Sequence, residues 1–142
     1  MHVGLYSALA RVHVRAARGF IAERGYGQNA EAIRQCRQEI MSGAGGPPLQ
    51  IVATYADFFT TSECRDLLFH VQEHQLTIPE IKQFLADNKL TFLGFVTEAA
   101  RDYRQKFPED PAMTDLDHWQ QFESENPDTF IDMYEFWIQK PV

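Results

Sequence analysis

The sequence predicts a mixed α/β fold built around a small sheet, and three observations support this class. Met1–Tyr6 and Leu90–Val96 are short apolar runs of the kind that form strands in a buried sheet. Asp132–Lys140 alternates large apolar residues with polar ones, which is typical of a third strand. The segments between these runs carry helix-start and helix-stop residues. With 142 residues, of which 44% are hydrophobic, a single domain over residues 1–142 is expected.

The segment after the first strand is predicted to form two helices and a loop. Ser7 is a suitable cap for a helix over Ala8–Arg24, since a serine hydroxyl accepts hydrogen bonds from free backbone N–H groups. Asn29 is the corresponding cap of a second helix that ends at about Met41. Residues 43–48 read Gly-Ala-Gly-Gly-Pro-Pro, so they are predicted to be an internal loop.

Two capping boxes mark helix starts in the middle of the chain. Thr60 with Glu63 begins a short helix that is predicted to reach about Phe69. Thr77 with Glu80 begins another, in which a proline in the first turn costs no hydrogen bond. Both helices precede the second strand, so helix and strand alternate along the chain as in an α/β protein.

The second strand and the last strand predict how the sheet is covered. Leu90–Val96 is apolar on both faces, which predicts helices on both sides of the sheet. Two further helices are predicted over residues 98–107 and 114–125. Core packing is expected for the aromatic side chains of the two strands and for Phe130, with base stacking as the alternative; these residues are Phe92, Phe95, Phe130, Tyr134, Phe136 and Trp137. The last strand would place Tyr134, Phe136 and Ile138 on one face and Met133 and Trp137 on the other.

Composition excludes several classes of partner. The net charge of −7 repels phosphate backbones, so no nucleic acid is expected. No apolar run approaches the roughly 20 residues that a membrane-spanning helix needs. Cys36 and Cys64 are too few for a disulfide framework, and reduced thiols in a cytoplasmic protein are expected.

His70, Glu73 and His74 spell H-x-x-E-H, a pattern found in one class of zinc protease. On a helix, two histidines four residues apart share a face and can bind one zinc ion, while the glutamate acts as a base. A new helix cap at Thr77 shortens the candidate helix, and a third protein ligand is not evident. A satisfied or solvent-facing histidine pair is the favoured interpretation, so no metal site is predicted. A polar cluster facing a substrate cleft is the functional alternative.

Arg11, Arg15 and Arg18 recur at helical spacing near the N-terminus. They are able to form an anion site on one helix face. The alternative is a solvated face whose arginines pair with some of the 20 acidic residues of the chain, and this is the favoured interpretation.

Several stretches together resemble one known family. They are MHVGLYS, FIAERGY (Phe20–Tyr26), IRQCRQEI (Ile33–Ile40), SECRDLLFHVQEHQLTIPEIKQFL (Ser62–Leu85), LTFLGF (Leu90–Phe95), and ENPDTF followed by MYEFWIQK. This set resembles the C-terminal portion of a class I S-adenosylmethionine-dependent methyltransferase domain, of the kind fused to tetratricopeptide repeats in bacteria.

The resemblance implies a partial Rossmann-like methyltransferase sheet. Met1–Tyr6 would be the fifth strand of the full sheet, Leu90–Val96 the sixth, and Met133–Lys140 the seventh, antiparallel and inserted between the other two. The glycine-rich turn and the acidic residue that hold S-adenosylmethionine in the family would lie before Met1. The resemblance therefore implies no cofactor-binding residue in this chain, and no S-adenosylmethionine bound to the chain alone.

The position of the expected substrate site is inferred from the carboxyl ends of the predicted parallel strands. Ligands of open α/β sheets lie beyond the carboxyl ends of the parallel strands, and Tyr6 and Ser7 end one such strand. Residues 55–77 would then form a lid-like insertion. Its predicted substrate-binding side chains are Arg65, Phe69 and Glu73. His70 and His74 are the predicted catalytic residues, because a histidine is able to take a proton from the substrate during methyl transfer.

The same interpretation predicts partners. A strand at residues 1–6 without its upstream neighbour presents an open edge, to which another strand can pair. The expected occupant is the missing N-terminal half of the methyltransferase domain or a second copy of the chain. Two other functions stay open, a non-catalytic α/β binding or interaction domain and a zinc-dependent hydrolase that uses the H-x-x-E-H motif.

Overall fold

The chain separates into two compact units, each with its own hydrophobic core. The computed structural model describes residues 1–69 and 72–142. The first unit consists of Met1–Arg11 and His74–Val142, and the second of Val12–Glu73. The sequence analysis treats residues 1–142 as one domain, because its patterns show apolar helix faces without showing which faces pack together.

The helices of the described chain divide between the two units. The second unit contains α1 to α4 and the first unit contains α5 to α7. Their bounds are α1 Val12–Arg24, α2 Ala30–Met41, α3 Pro47–Val52, α4 Thr61–Cys64, α5 Ile78–Asp87, α6 Ala100–Lys106 and α7 Leu116–Glu125. None of these helices is both long and apolar enough to cross a membrane.

The first unit is built on a four-stranded sheet of order β2-β1-β4-β3. The strands are β1 His2–Ser7, β2 Gln75–Leu76, β3 Thr91–Phe95 and β4 Tyr134–Gln139. β4 lies between β1 and β3 and is antiparallel to both, which confirms the predicted order of these three strands. The predicted number of three was wrong, because β2 is too short to show a strand period in the sequence.

β2 covers only the carboxyl end of the outer edge of β1. The two strands are parallel, with Tyr6 opposite Gln75 and Ser7 opposite Leu76. Along His2 to Leu5, β1 pairs with β4 on its inner edge, and no described residue forms a strand on its outer edge. The backbone of this part of β1 is therefore open on one side.

One face of the sheet packs against α5, α6 and α7. Tyr134, Phe136 and Ile138 of β4 are buried there, as their alternation predicted. Phe95 joins this core, with ring centroids 4.7 Å from Phe130 and 5.3 Å from Trp119. The aromatic side chains on this face are thus core residues, and the alternative of a base-stacking platform does not hold for them.

The other face of the sheet carries exposed apolar side chains. Leu93 is 48% exposed, Val96 51% and Trp137 50%. The prediction that helices cover both sides of Leu90–Val96 was therefore wrong, because the helices of this unit contribute their buried residues to the core on one face. The prediction of core packing was wrong for Trp137, which lies on this exposed face and contacts the ring of His2 at a centroid distance of 5.0 Å.

The second unit encloses the buried apolar residues of α1 to α4. Asn29 caps α2 by accepting a hydrogen bond from the Ala32 N–H at 2.9 Å, as predicted. α3 begins at Pro47, inside the segment 43–48, because proline fits the first turn of a helix. After α4 the chain makes a π-helical turn over Arg65–Phe69.

Candidate functional site

The residues that the sequence singled out fall in both units. Three of them belong to the first unit and three to the second. They are Tyr6, Ser7 and His74 in the first, then Arg65, Phe69 and Glu73 in the second. His70, the other predicted catalytic histidine, lies outside the described residues.

Ser7 ends β1 with its side chain buried in the fold. Its hydroxyl donates a hydrogen bond to Oε1 of Glu123 at 2.5 Å and accepts one from the Ala10 N–H at 3.1 Å. The serine is 1% exposed. Its hydroxyl therefore serves a buried contact between β1 and α7, and the predicted helix cap is replaced by a turn after which α1 begins at Val12.

Glu123 of α7 forms the centre of a buried polar cluster with Ser7 and Tyr134. The Tyr134 hydroxyl donates to both carboxylate oxygens at 2.8 Å, and Glu123 is 4% exposed. Burial raises the pKa of Glu123, although the hydrogen bonds from Ser7 and Tyr134 partly oppose that rise. Burial also raises the pKa of Tyr134. The cluster is able to hold a proton near the carboxyl end of β1.

The sequence analysis missed Glu123, although a signal for it exists. α7 buries Leu116, Trp119 and Phe122, and Glu123 follows Leu116 by seven residues and Trp119 by four. This spacing places its side chain on the apolar face of the helix. A carboxylate at such a position needs hydrogen-bond partners in the core, because burying it alone is costly.

Tyr6 and His74 have different surroundings in the same unit. The guanidinium carbon of Arg11 lies 4.2 Å from the centre of the Tyr6 ring, a cation–π contact next to Ser7. His74 is exposed and comes directly before β2. The role in proton transfer stays a prediction for His74.

Glu73 and Arg18 form an ion pair in the second unit. Arg18 Nη1 lies 2.9 Å from Glu73 Oε2, and the side chain of Glu73 is 6% exposed. Arg18 also donates to the Leu67 carbonyl from Nε at 3.2 Å and from Nη2 at 2.8 Å. Arg18 thus pairs with an acidic residue, as predicted for the arginines near the N-terminus. The pair fastens α1 to the residues around the π-helical turn.

Phe69 lines a cavity of about 380 Å³ in the second unit. Its other walls are mostly apolar, and the polar side chains at its rim are those of Arg18, Tyr26 and Gln28. Gln28 Nε2 donates to the Phe69 carbonyl at 3.3 Å, and Arg65 Nε donates to the Gln28 carbonyl at 3.1 Å. Arg65 and Phe69 are therefore held together through Gln28.

The metal interpretation of H-x-x-E-H is not tested by this geometry. Among residues 1–69 and 72–142, no group of three or more His, Cys, Asp or Glu side chains is arranged to hold a metal ion. His70 lies outside those ranges, and Glu73 is bonded to Arg18.

Comparison with known proteins gives no family for this chain. No protein-family model matches it, and no curated protein matches it either. The resemblance to methyltransferases therefore stays a prediction that depends on the residues quoted for it and on the sheet.

Proposed function

We propose that this chain is the C-terminal, substrate-side part of an S-adenosylmethionine-dependent methyltransferase domain. One observation carries the proposal. β4, the last strand of the chain, is antiparallel and lies between β1 and β3, in the order that the resemblance implied for the last three strands of the methyltransferase sheet.

Two uncovered surfaces of the first unit support the same proposal. The outer edge of β1 is open from His2 to Leu5, where a neighbouring parallel strand of a larger sheet would pair. The face around Leu93 and Trp137 is exposed, which is common for antiparallel pairs, but it would be covered if parallel strands extended the sheet as in α/β proteins. An N-terminal half with its own strands and helices would cover both surfaces.

The proposal assigns roles to the site residues. Tyr6 and Ser7 stand at the carboxyl end of β1, where ligands of open α/β sheets bind, and His70 or His74 accepts the substrate proton. In the second unit, Arg65 and Phe69 contribute substrate contacts, whereas the buried side chain of Glu73 is held by Arg18. Residues 55–77 act as the lid-like insertion.

The cofactor and the partner belong to the same proposal. S-adenosylmethionine binds the complete domain, whose cofactor residues come from the missing N-terminal half, and this chain alone is inactive. A second copy, paired through the strand at residues 1–6, is the alternative occupant of the open edge. The net charge of −7 supports the absence of nucleic acid from the partners, and the unpaired buried thiols of Cys36 and Cys64 support a cytoplasmic location.

Calorimetric titration with S-adenosylmethionine tests the proposal. The chain of 142 residues and the product of the complete native gene are titrated side by side. Heat of binding from the complete product and none from the chain is the expected result. A complete product that neither binds S-adenosylmethionine nor associates with a protein that does would contradict it.

A further inference from the structure

A second cavity, of about 470 Å³, lies in the first unit beside the ends of two neighbouring strands. Residues 96–99, which follow β3, form one wall, and residues 128–133, which precede β4, form the other. None of the residues that the sequence analysis chose for a site lines this cavity.

Part of the cavity wall is apolar, and these side chains are called its floor. Phe130 and Met133 line it, together with Val96 and Ile131, whose side chains are exposed. Large apolar side chains that share one exposed concave surface offer a ligand an area to bury. The volume lies within the range of about 300–1,000 Å³ that is usual for small-molecule sites.

The rim of the cavity is acidic. Glu98, Asp128, Asp132 and Glu135 line it, and no lysine, arginine or histidine does. Glu135 has a histidine partner, His2, at 3.7 Å. Among the described residues, the other three carboxylates form no ion pair. An acidic rim around an apolar floor is complementary to a molecule that joins a positive charge to an apolar body.

The position of the cavity agrees with a ligand site. β1 and β3 are both antiparallel to β4, so they are parallel to each other and their carboxyl ends meet at one edge of the sheet. Val96 and Thr97 continue from the carboxyl end of β3. Ligands of open α/β sheets bind at that edge.

We infer that this cavity binds a small organic amine in its ammonium form. The ammonium group contacts the carboxylates of Glu98, Asp128 and Asp132, and the apolar part of the ligand lies against Val96 and Ile131. The inference depends only on the cavity, so it stands or falls separately from the proposed methyl transfer.

Nuclear magnetic resonance titration of the isotope-labelled chain at low ionic strength tests the inference. The probe is phenethylamine, which is charged at neutral pH, and its uncharged counterpart is 2-phenylethanol. We expect shifts confined to residues 96–99 and 128–135, with an affinity for the amine about tenfold higher than for the alcohol. Equal affinities, or shifts spread over the acidic surface, overturn it.

Matched variants separate the cavity from the general negative charge. The double change Asp128→Asn and Asp132→Asn should weaken amine binding about tenfold, since each removes a charge from the rim. Asp102→Asn removes an exposed carboxylate of α6 outside the cavity and should leave the affinity unchanged. Equal losses of amine affinity in the double variant and in Asp102→Asn overturn the inference. Circular dichroism confirms that each variant is folded.

Two further ligands identify the occupant. N-acetyl-lysine amide carries the same cation as a peptide side chain, and magnesium chloride supplies a cation without an apolar body. Weaker binding of both than of phenethylamine is expected, because only the amine fits both the rim and the floor. Tighter binding of the lysine derivative would make the occupant a peptide, and tighter binding of magnesium would make it a metal ion; either result overturns the inference.

Discussion

Glu123 is a carboxyl group with almost no solvent contact and two hydroxyl partners. Ser7 and Tyr134 donate to it from β1 and β4, so one side chain of α7 joins both strands. Because burial raises the pKa of Glu123, the folded chain holds a proton there that the unfolded chain releases at a lower pH. The stability of the first unit is therefore coupled to pH through this residue.

Glu123→Gln should become more stable relative to the unchanged protein as the pH rises. The stabilising effect of a raised carboxyl pKa is complete below the unfolded pKa and is lost as pH rises through the folded pKa. Glutamine has nearly the same shape as glutamate and cannot ionise. The free energy of unfolding of the Glu123→Gln protein therefore does not fall in this way as the pH rises. The expected gain is about 1.4 kcal/mol for each pKa unit of the rise.

Urea unfolding at pH 5 and pH 8 measures this gain. Glu98→Gln, which removes an exposed carboxylate of the same unit, serves as the control for the loss of one surface charge. The Glu123 variant and the unchanged protein differ in their free energy of unfolding. If this difference is the same at pH 5 and pH 8, the raised pKa of Glu123 is refuted.

The Arg18–Glu73 pair is more buried than a second ion pair of the same unit, between Arg24 and Glu39. Glu73→Gln removes the charge that Arg18 faces across 2.9 Å, and we expect it to lower the free energy of unfolding by about 1–3 kcal/mol. Arg24→Gln breaks a pair at 3.6 Å in which the arginine is 55% exposed, and a cost of about 0–1 kcal/mol is expected. Chemical denaturation measures the loss of unfolding free energy in each variant. Equal losses would contradict the effect expected from the difference in burial.

At the scale of single elements, local signals in the sequence predicted helix starts better than strand ends. Thr77 and Glu80 form the predicted capping box, with both reciprocal hydrogen bonds present. A cap can be read from neighbouring residues because its partners are three positions apart. β2 has only two residues, and it is a strand only because it pairs with Tyr6 and Ser7, which are about 70 positions away in the chain.

Thr77→Ala should destabilise α5 by about 1 kcal/mol, because it removes the hydroxyl that caps the helix. Thr77→Ser keeps the hydroxyl and should keep most of the stability. Hydrogen bonds from Thr77 lower the pKa of Glu80, so the contribution of the box is present at neutral pH and is lost as pH falls through that lowered pKa. Thermal unfolding of both variants at pH 7 and pH 3 measures this. Equal stability of the alanine and serine variants at pH 7 would count against the capping box.

At the scale of the whole molecule, the order of the three long strands was predictable and the division into two units was not. The strand order came from the family resemblance, and β1, β3 and β4 follow it. Which apolar helix faces share a core depends on contacts distant in sequence, as between α1 and α3. The same limit hid the cluster of Ser7, Glu123 and Tyr134, whose members come from three elements.

The open edge of β1 leads to a prediction about association. At tens of micromolar the chain alone should dimerise or aggregate, because an unpaired apolar strand edge accepts another strand. Size-exclusion chromatography with light scattering measures the mass. Trp137→Glu, which changes the exposed sheet face and leaves the edge intact, should associate to the same extent. A clean monomer at this concentration would show that the edge does not pair.

The central claim is that this sheet is the last part of a methyltransferase sheet. The most direct test tags the native gene at its 3′ end, exposes the cell extract to ultraviolet light with radiolabelled S-adenosylmethionine, and purifies the tagged protein. We expect label on the tagged polypeptide, at a mass above the 16.4 kDa of this chain, or on a protein bound to it. An unlabelled tagged protein without a labelled partner would contradict the claim.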